Sequence, residues 1–459
     1  MDGFLERLSE AVWGWPLMIL FIGVGLLFTV RLGGLQLLQL PRAFSCIRRT
    51  GEGSGITPYA ALCTALAATI GTGNIVGVAT AISTGGPGAL FWMLLAAFLG
   101  MATQYAEGFL AAKYRLKRSF GGPFAYMERG LGKKWRWLAM LYALIGAVVG
   151  LLGVGTVTQV TSITSAIDGF FHCKAVLNLA QRELPLEVVI AGAMITLAAA
   201  AVLLGGVKRI TKVCESLVPL MSALYVIFSL VLLIRYRSRI PDAAVLIFKS
   251  AFAPKAVLGG CAGVSMKAAM RMGIGRGVFT NEAGLGTSAI AAGASDEKNP
   301  VYQGLVSMTG TFIDTILICT LTGLCLVVTG AWSKGLEGVA ITDYAWRAGL
   351  PWSEKFSSFV LMISLIFFAF ATIIGWNFYA EACLRYITKD NLKTRKIYRF
   401  AYLAVIALAP YLTVDAAWQM ADILNGVMAI PNLLALILLQ NDVMIGTKRW
   451  ISTRKNKII

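Results

Sequence analysis

Two short stretches of the chain hold residue types and spacings that could do chemistry. The first, Ala67-Ala-Thr-Ile-Gly-Thr-Gly-Asn74, sets two glycines and an asparagine inside an apolar run. Each glycine weakens a helix by roughly 1 kcal/mol relative to alanine, so the spacing predicts an unwound turn. Unwinding frees N–H groups at the start of the second half-helix, which favour a carboxylate, and C=O groups at the end of the first, which suit Na⁺ or an ammonium. The same glycines, with Gly77, would also serve as a small-residue packing face; Asn74 weighs toward the ligand reading, because an amide in lipid surroundings needs partners. The second stretch, Arg276-Gly-Val-Phe-Thr-Asn-Glu-Ala-Gly-Leu-Gly286, brings an arginine, an asparagine and a glutamate into a span, where such side chains are too costly to face lipid. A loop at the membrane surface feeding a shorter span from Ala283 is the alternative.

Two further places carry polar groups at helical spacing. Gln159 sits among Thr156, Thr158, Thr161 and Ser162, whose hydroxyls read as hydrogen-bonding groups turned into a bundle. Thr372 and Trp376 are four residues apart and share a helix face, pairing a hydroxyl that can ligate Na⁺ with a ring that can close an apolar pocket. Of the acids in or near spans, Glu107 and Glu381 fall close to expected span ends, where pairing with loop Lys and Arg accounts for them. Asp314 is the one to test as a proton relay; Asp422 is the remaining acid of this group.

The elements that must position these residues follow from composition. The 459 residues are 57% hydrophobic and 14% charged, with 41 Lys+Arg against 23 Asp+Glu and a mean hydropathy of +0.73. Soluble domains carry roughly 25% charged residues, so this is a membrane chain; disorder is excluded. Its apolar segments, near 13–31, 57–82, 87–112, 137–165, 186–206, 213–234, 258–294, 301–330, 357–384, 400–414 and 418–440, suit eleven helices at 1.5 Å per residue, and a β-barrel is excluded because alternating ten-residue strands do not occur. Most Lys and Arg fall in alternate inter-span segments, which puts the N-terminus outside and the C-terminus inside. A concentration of basic residues over 235–276 fits this scheme poorly and would suit a re-entrant or interfacial helix. With the first span set aside, the interrupted spans are numbers one and six of ten, each opening a group of five, the sequence pointer to an inverted-repeat secondary transporter. The expected divisions are an N-terminal helix and basic loop over 1–50, five-helix repeats over 51–240 and 241–445, and a basic cytoplasmic tail over 446–459.

Other classes find little support. The net charge of +18 lies in loops, as in Lys113-Tyr-Arg-Leu-Lys-Arg118, where it faces an anionic leaflet, so nucleic acid is not an expected partner. The eight cysteines, Cys46, Cys63, Cys173, Cys214, Cys261, Cys319, Cys325 and Cys383, are scattered and read as small core residues. His172 is the only histidine, too few for a His-based metal site or a catalytic triad beside clustered acids. An enzyme is not expected. An ion channel stays as a rival from another class, although no ring of repeated carboxylates argues for it.

Four motifs in order, Gly71-Thr-Gly-Asn-Ile-Val-Gly-Val-Ala79, Gly85-Gly-Pro-Gly-Ala-Leu-Phe-Trp92, Gly121-Gly-Pro-Phe-Ala-Tyr-Met-Glu-Arg-Gly130 and Arg276 to Gly286, resemble the alanine or glycine:cation symporter family, the sodium:alanine symporters of the amino acid–polyamine–organocation superfamily. The resemblance runs from about residue 55 to 440. It implies an all-α multi-pass protein of the plasma (inner) membrane, with the ten-helix inverted repeat of the leucine-transporter type plus one N-terminal helix. It also implies import of small neutral amino acids, chiefly alanine (both enantiomers in some members) or glycine, by symport with Na⁺ or sometimes H⁺, with no cofactor beyond the coupling ion and no obligatory protein partner. By motif position, Gly71, Thr72 and Gly73 would meet the substrate carboxylate with Asn74 beside them, and Gln159, Phe279, Asn281, Thr372 and Trp376 would line the pocket. The carbonyls of Ala67 and Ile70 with the Thr372 hydroxyl would hold Na⁺. The family often has two adjacent hydroxyl residues where this chain has Ala371-Thr372, which keeps H⁺ open as the coupling ion; Thr280 stands for the family's usual serine.

Overall fold

A computed structural model describes residues 7–9, 11–48, 55–116, 121–171, 175–179, 182–252, 266–412 and 414–455. Among these, seven helices are long and apolar enough to cross a membrane: Gly88–Lys113, Lys133–Phe171, Leu186–Leu203, Gly206–Arg235, Pro300–Thr329, Glu354–Ile387 and Trp418–Leu438. The pair Pro58–Thr69 and Gly73–Gly85, bent by 54° where the glycines interrupt it, makes an eighth if counted as one span. Eleven spans are expected, and the other three positions hold shorter or more polar helices: Trp15–Arg31, Met266–Asn281 followed by Thr287–Ala294, and Leu392–Leu408. The first residues of the expected span 258–294 lie outside the described residues, as do His172, Cys173 and Cys261.

Several boundaries differ from expectation for visible reasons. The expected span 137–165 is interrupted at Gly153, with Arg136–Leu152 before it and Val157–Phe171 after it. The basic stretch from 235 contains a separate helix, Ile240–Phe252, which holds Lys249, while Arg235, Arg237 and Arg239 precede it. A short antiparallel hairpin, Val176–Leu179 with Arg182–Pro185, is a small exception to the all-helical reading. Residues 446–455 are not a free tail, because helix Gln440–Lys455 runs through the expected boundary and docks on Gly88–Lys113. There the Thr447 and Tyr105 hydroxyls meet at 2.7 Å, and Gly446 lies against the Phe109 ring.

Local chemistry sets the ends of the elements that matter for the site. Thr57 caps Pro58–Thr69, its Oγ1 accepting from Ala60 N–H at 3.1 Å, with Pro58 at the first helical position. The threonine satisfies one donor that a helix start leaves open, and the proline removes another. Helix Gly88–Lys113 crosses the core closely enough that a Cβ on Gly273 would come within 2.2 Å of Ala89 O, the small-residue contact by which helices pack in lipid. Within Pro300–Thr329 the segment Phe312–Cys319 is π-helical, and it brings Asp314 and Thr315 between the two broken spans. The cysteines Cys46, Cys63, Cys214, Cys319, Cys325 and Cys383 are buried, as expected of small core residues.

Candidate functional site

The first break shows how an interrupted helix releases its backbone. Ile70 leaves the helix with ψ at 93°. A continuing helix would send Gly71 N–H to the Ala67 carbonyl; it donates instead to Asn74 Oδ1 at 2.9 Å. Thr72 N–H reaches Gln159 Oε1 at 3.4 Å. Thr372 Oγ1 lies 3.1 Å from Phe368 O and 3.4 Å from Ile70 O, so three oxygens from two helices face one buried point. A Cβ on Gly71 would stand 2.4 Å from Thr372 Oγ1 and 3.4 Å from Gln159 Oε1. The structure therefore brings Gly71, Thr72, Gln159, Ile70 and Thr372 together. Trp376 follows one turn beyond Thr372, its Cβ pressed on Gly155. Thr72 Oγ1 is buried without a hydrogen-bond partner, and a buried polar atom left so is costly unless a ligand or water meets it.

The two asparagines also bond within the protein. Asn74 uses Oδ1 on Gly71, and its Nδ2 donates to Asp314 Oδ1 at 2.8 Å and Asp314 O at 3.1 Å. Asn281 accepts from Ala283 N–H at 2.9 Å and donates to Thr315 Oγ1 at 3.2 Å. Thr315 Oγ1 in turn donates to Asp314 Oδ2 at 2.7 Å. Asp314 is thus a fully buried tether between the breaks, a link across 240 residues of sequence that no local pattern signals.

Phe279 closes the site from another side. Its ring lies 3.5 Å from where a Cβ on Gly73 would be and 5.3 Å from the Trp418 ring. The Arg276 guanidinium stacks on both rings, 5.6 and 5.3 Å from their centroids, and pairs with Asp422 at 3.0 Å. Trp418 and the Asp422 pairing were not legible in the sequence. Arg276, Trp418 and Asp422 line a cavity of about 560 Å³ that also touches Val76 and Thr80. A separate cavity of about 620 Å³ is lined by Thr57, Ala60, Lys208, Phe378, Glu381 and Arg395. The two halves of one broken span therefore border different cavities, and the break lies between them. Removing the carboxylate in Asp422→Ala should loosen the Arg276 cover and speed modification of a Thr80→Cys probe by a membrane-impermeant thiol reagent by several-fold; an unchanged rate would show that the pair holds nothing shut.

Among the acids, Glu381 behaves as expected and takes Arg395 and Arg399. Glu107 does not. It is fully buried and accepts from Gly284 N–H, Gly286 N–H and Asn432 Nδ2, because the helix end that carries it is covered by the segments of Tyr126 and Asn432. Gly85, expected in a loop, is likewise buried at a helix end, where a Cβ would press on Met272 and Ala89 at 3.0 Å.

Comparison with known proteins bears on what this arrangement serves. Residues 1–458 match the model of the sodium:alanine symporter family. The chain is 46% identical to an uncharacterized transporter of Haemophilus influenzae, over 99% of this chain and 97% of that one. It is 40% identical to the sodium/alanine symporter AgcS of Methanococcus maripaludis, over 99% and 98%, and 33% identical to the probable sodium/glutamine symporter GlnT of Bacillus subtilis, over 99% and 92%. Among solved structures, MhsT in complex with L-phenylalanine matches with a TM-score of 0.59 at 14% identity, covering 87% of this chain and 93% of that one, so the fold is leucine-transporter-like.

Proposed function

Because the chain belongs to the sodium:alanine symporter family, we propose that it imports small neutral amino acids, alanine first with D-alanine and glycine beside it, together with Na⁺. In this reading eleven helices cross the inner membrane, ten of them as a five-plus-five inverted repeat behind the N-terminal helix. The N-terminus lies outside, and the 620 Å³ cavity with its basic lining opens to the cytoplasm. The name of the archaeal relative, a sodium/alanine symporter, supports the cargo and the ion. The observation that carries the reading is the convergence of Gly71, Thr72, Gln159 and Thr372 on one buried break, with Thr72 Oγ1 left open to a ligand.

The chemistry follows from that geometry. A carboxylate settles on the N–H groups of Gly71 to Gly73, displacing the Asn74 and Gln159 amide oxygens that hold two of them, at the positive end of the second half-helix. Thr372 spends its one hydrogen on Phe368 O, which leaves its lone pairs for an ion shared with the Ile70 carbonyl. Two oxygens each roughly 2.4 Å from a cation of Ca²⁺ size and at a right angle are about 3.4 Å apart, the separation found between Thr372 Oγ1 and Ile70 O. The Ala67 carbonyl, released from Gly71, completes the protein's share. Alternating access then moves both ligands from the Asp422 cavity to the Glu381 cavity.

H⁺ is the alternative coupling ion, favoured by the buried carboxylates of Asp314 and Glu282 beside the breaks. Calorimetry separates the two: alanine should bind more tightly as Na⁺ replaces choline at fixed pH, and an affinity indifferent to Na⁺ would remove the ion site. Pocket size gives a second check. Alanine and glycine should compete while leucine and phenylalanine do not, and Trp376→Ala should admit larger side chains, since it deletes a buried ring one helical turn from Thr372. Unchanged selectivity would take Trp376 out of the pocket.

A further inference from the structure

The rest of the chain treats the two broken spans unequally. At the first, the N–H groups that open the second half meet only neutral amide oxygens, Asn74 Oδ1 on Gly71 and Gln159 Oε1 on Thr72. At the second, Gly284 and Gly286, whose N–H groups open helix Thr287–Ala294, both donate to a single oxygen, Glu107 Oε1, at 3.0 and 3.1 Å. Asn432 Nδ2 adds a third donor to that oxygen at 2.7 Å, and Ser288 Oγ lies 3.5 Å from Oε2. Glu107 comes from a different helix, 177 residues away from Gly284.

We propose that Glu107 is a built-in carboxylate that occupies, at the second break, the place the cargo's carboxylate takes at the first, so that only the first break is free to bind one. The proposal rests on the reading of the first break given above. Three features support it. A half-helix presents about half a positive charge at its N-terminus, and a carboxylate is the matching group. The pocket is sealed: Gly284 and Gly286 have φ of 93° and 80°, and a Cβ on them would meet Phe21 at 2.7 Å and Pro123 at 2.5 Å, so nothing else fits beside Glu107. Asn432 also ties the break to itself, donating to Gly284 O at 2.9 Å while accepting from the Tyr126 hydroxyl. A zwitterion therefore finds one set of backbone donors held only by neutral amides it can displace, which fixes both how many amino acids the site holds and which way round the cargo lies. Glu107 acts through the backbone and is a positioning residue.

Chemical rescue tests this. Glu107→Ala removes four heavy atoms, and formate replaces three of them, the carboxylate carbon and both oxygens. In detergent, Glu107→Ala should melt well below the wild type, and formate in the tens of millimolar should raise its melting temperature but not that of the wild type. In proteoliposomes its alanine uptake should fall about tenfold or more, since buried N–H donors lose their acceptor, and formate should return a measurable part. A folded Glu107→Ala that ignores formate in both assays would overturn the proposal. If that variant does not fold, Glu107→Gln decides: it keeps an acceptor oxygen but not the charge, so a lowered melting temperature supports the role of charge, and wild-type melting and uptake would overturn it. Titration of the wild type should count one alanine per chain, and two would contradict the plug. The formate response needs no cargo, so it stays informative even if wild-type uptake of alanine fails and takes the functional reading with it.

Discussion

Gly71→Ala should reduce alanine uptake by at least tenfold. The new Cβ would stand 2.4 Å from Thr372 Oγ1 and 3.4 Å from Gln159 Oε1, inside the contacts that define both the carboxylate turn and the ion position. Overpacking of this kind costs about 1–3 kcal/mol, about fivefold to 160-fold in rate, and so close an approach puts this site in the upper part of that range. Gly73→Ala should follow it, with its Cβ 2.8 Å from Thr280 Cγ2 and within 4 Å of Phe279. The control is Gly77→Ala, because a Cβ there meets nothing within 4 Å and the residue is already helical. Gly85 cannot serve as that control, being packed on Met272. If all three variants lose uptake and melting temperature alike, the glycines are a packing face and the ligand reading fails.

The second large effect is on the ion. Thr372→Ala deletes the hydroxyl that meets the Ile70 carbonyl, one of few side-chain oxygens at the site. The Na⁺ concentration for half-maximal uptake should rise about tenfold, the equivalent of about 1.4 kcal/mol, while alanine affinity at saturating Na⁺ changes little. Ala371→Ser, which supplies the second hydroxyl, should lower it. A Thr372→Ala transporter with an unaltered Na⁺ curve would move the ion elsewhere, and Asp314→Asn would then be the variant to examine for loss of pH coupling.

What was legible beforehand follows a physical pattern. Gly71, Gly73 and Asn74 break the apolar rule of a span within four residues, so composition alone marks the turn, and the helical period alone puts Thr372 and Trp376 on one face. Contacts between distant segments left no such trace. The amides of Asn74 and Asn281, expected beside the cargo, also reach the π-helical segment of Asp314 and Thr315, a link the sequence does not signal. Glu107 was assigned to loop cations because counting residues places it near a span end. Its helix is in fact covered there by the segments that carry Tyr126 and Asn432, and the burial turns its partners into backbone N–H groups. Trp418 gave no signal, since its role comes from Arg276 lying across it and Phe279.

The central claim is that a Na⁺ gradient drives a small neutral amino acid through the break at Gly71. Uptake of labelled alanine into proteoliposomes tests it most directly, with an inward Na⁺ gradient, an equal K⁺ gradient and an inward proton gradient imposed in parallel. Accumulation above equilibrium should occur with Na⁺ alone, saturate with alanine, and be absent from Gly71→Ala. Accumulation under the proton gradient with no response to Na⁺, or a flux that does not saturate, would contradict it.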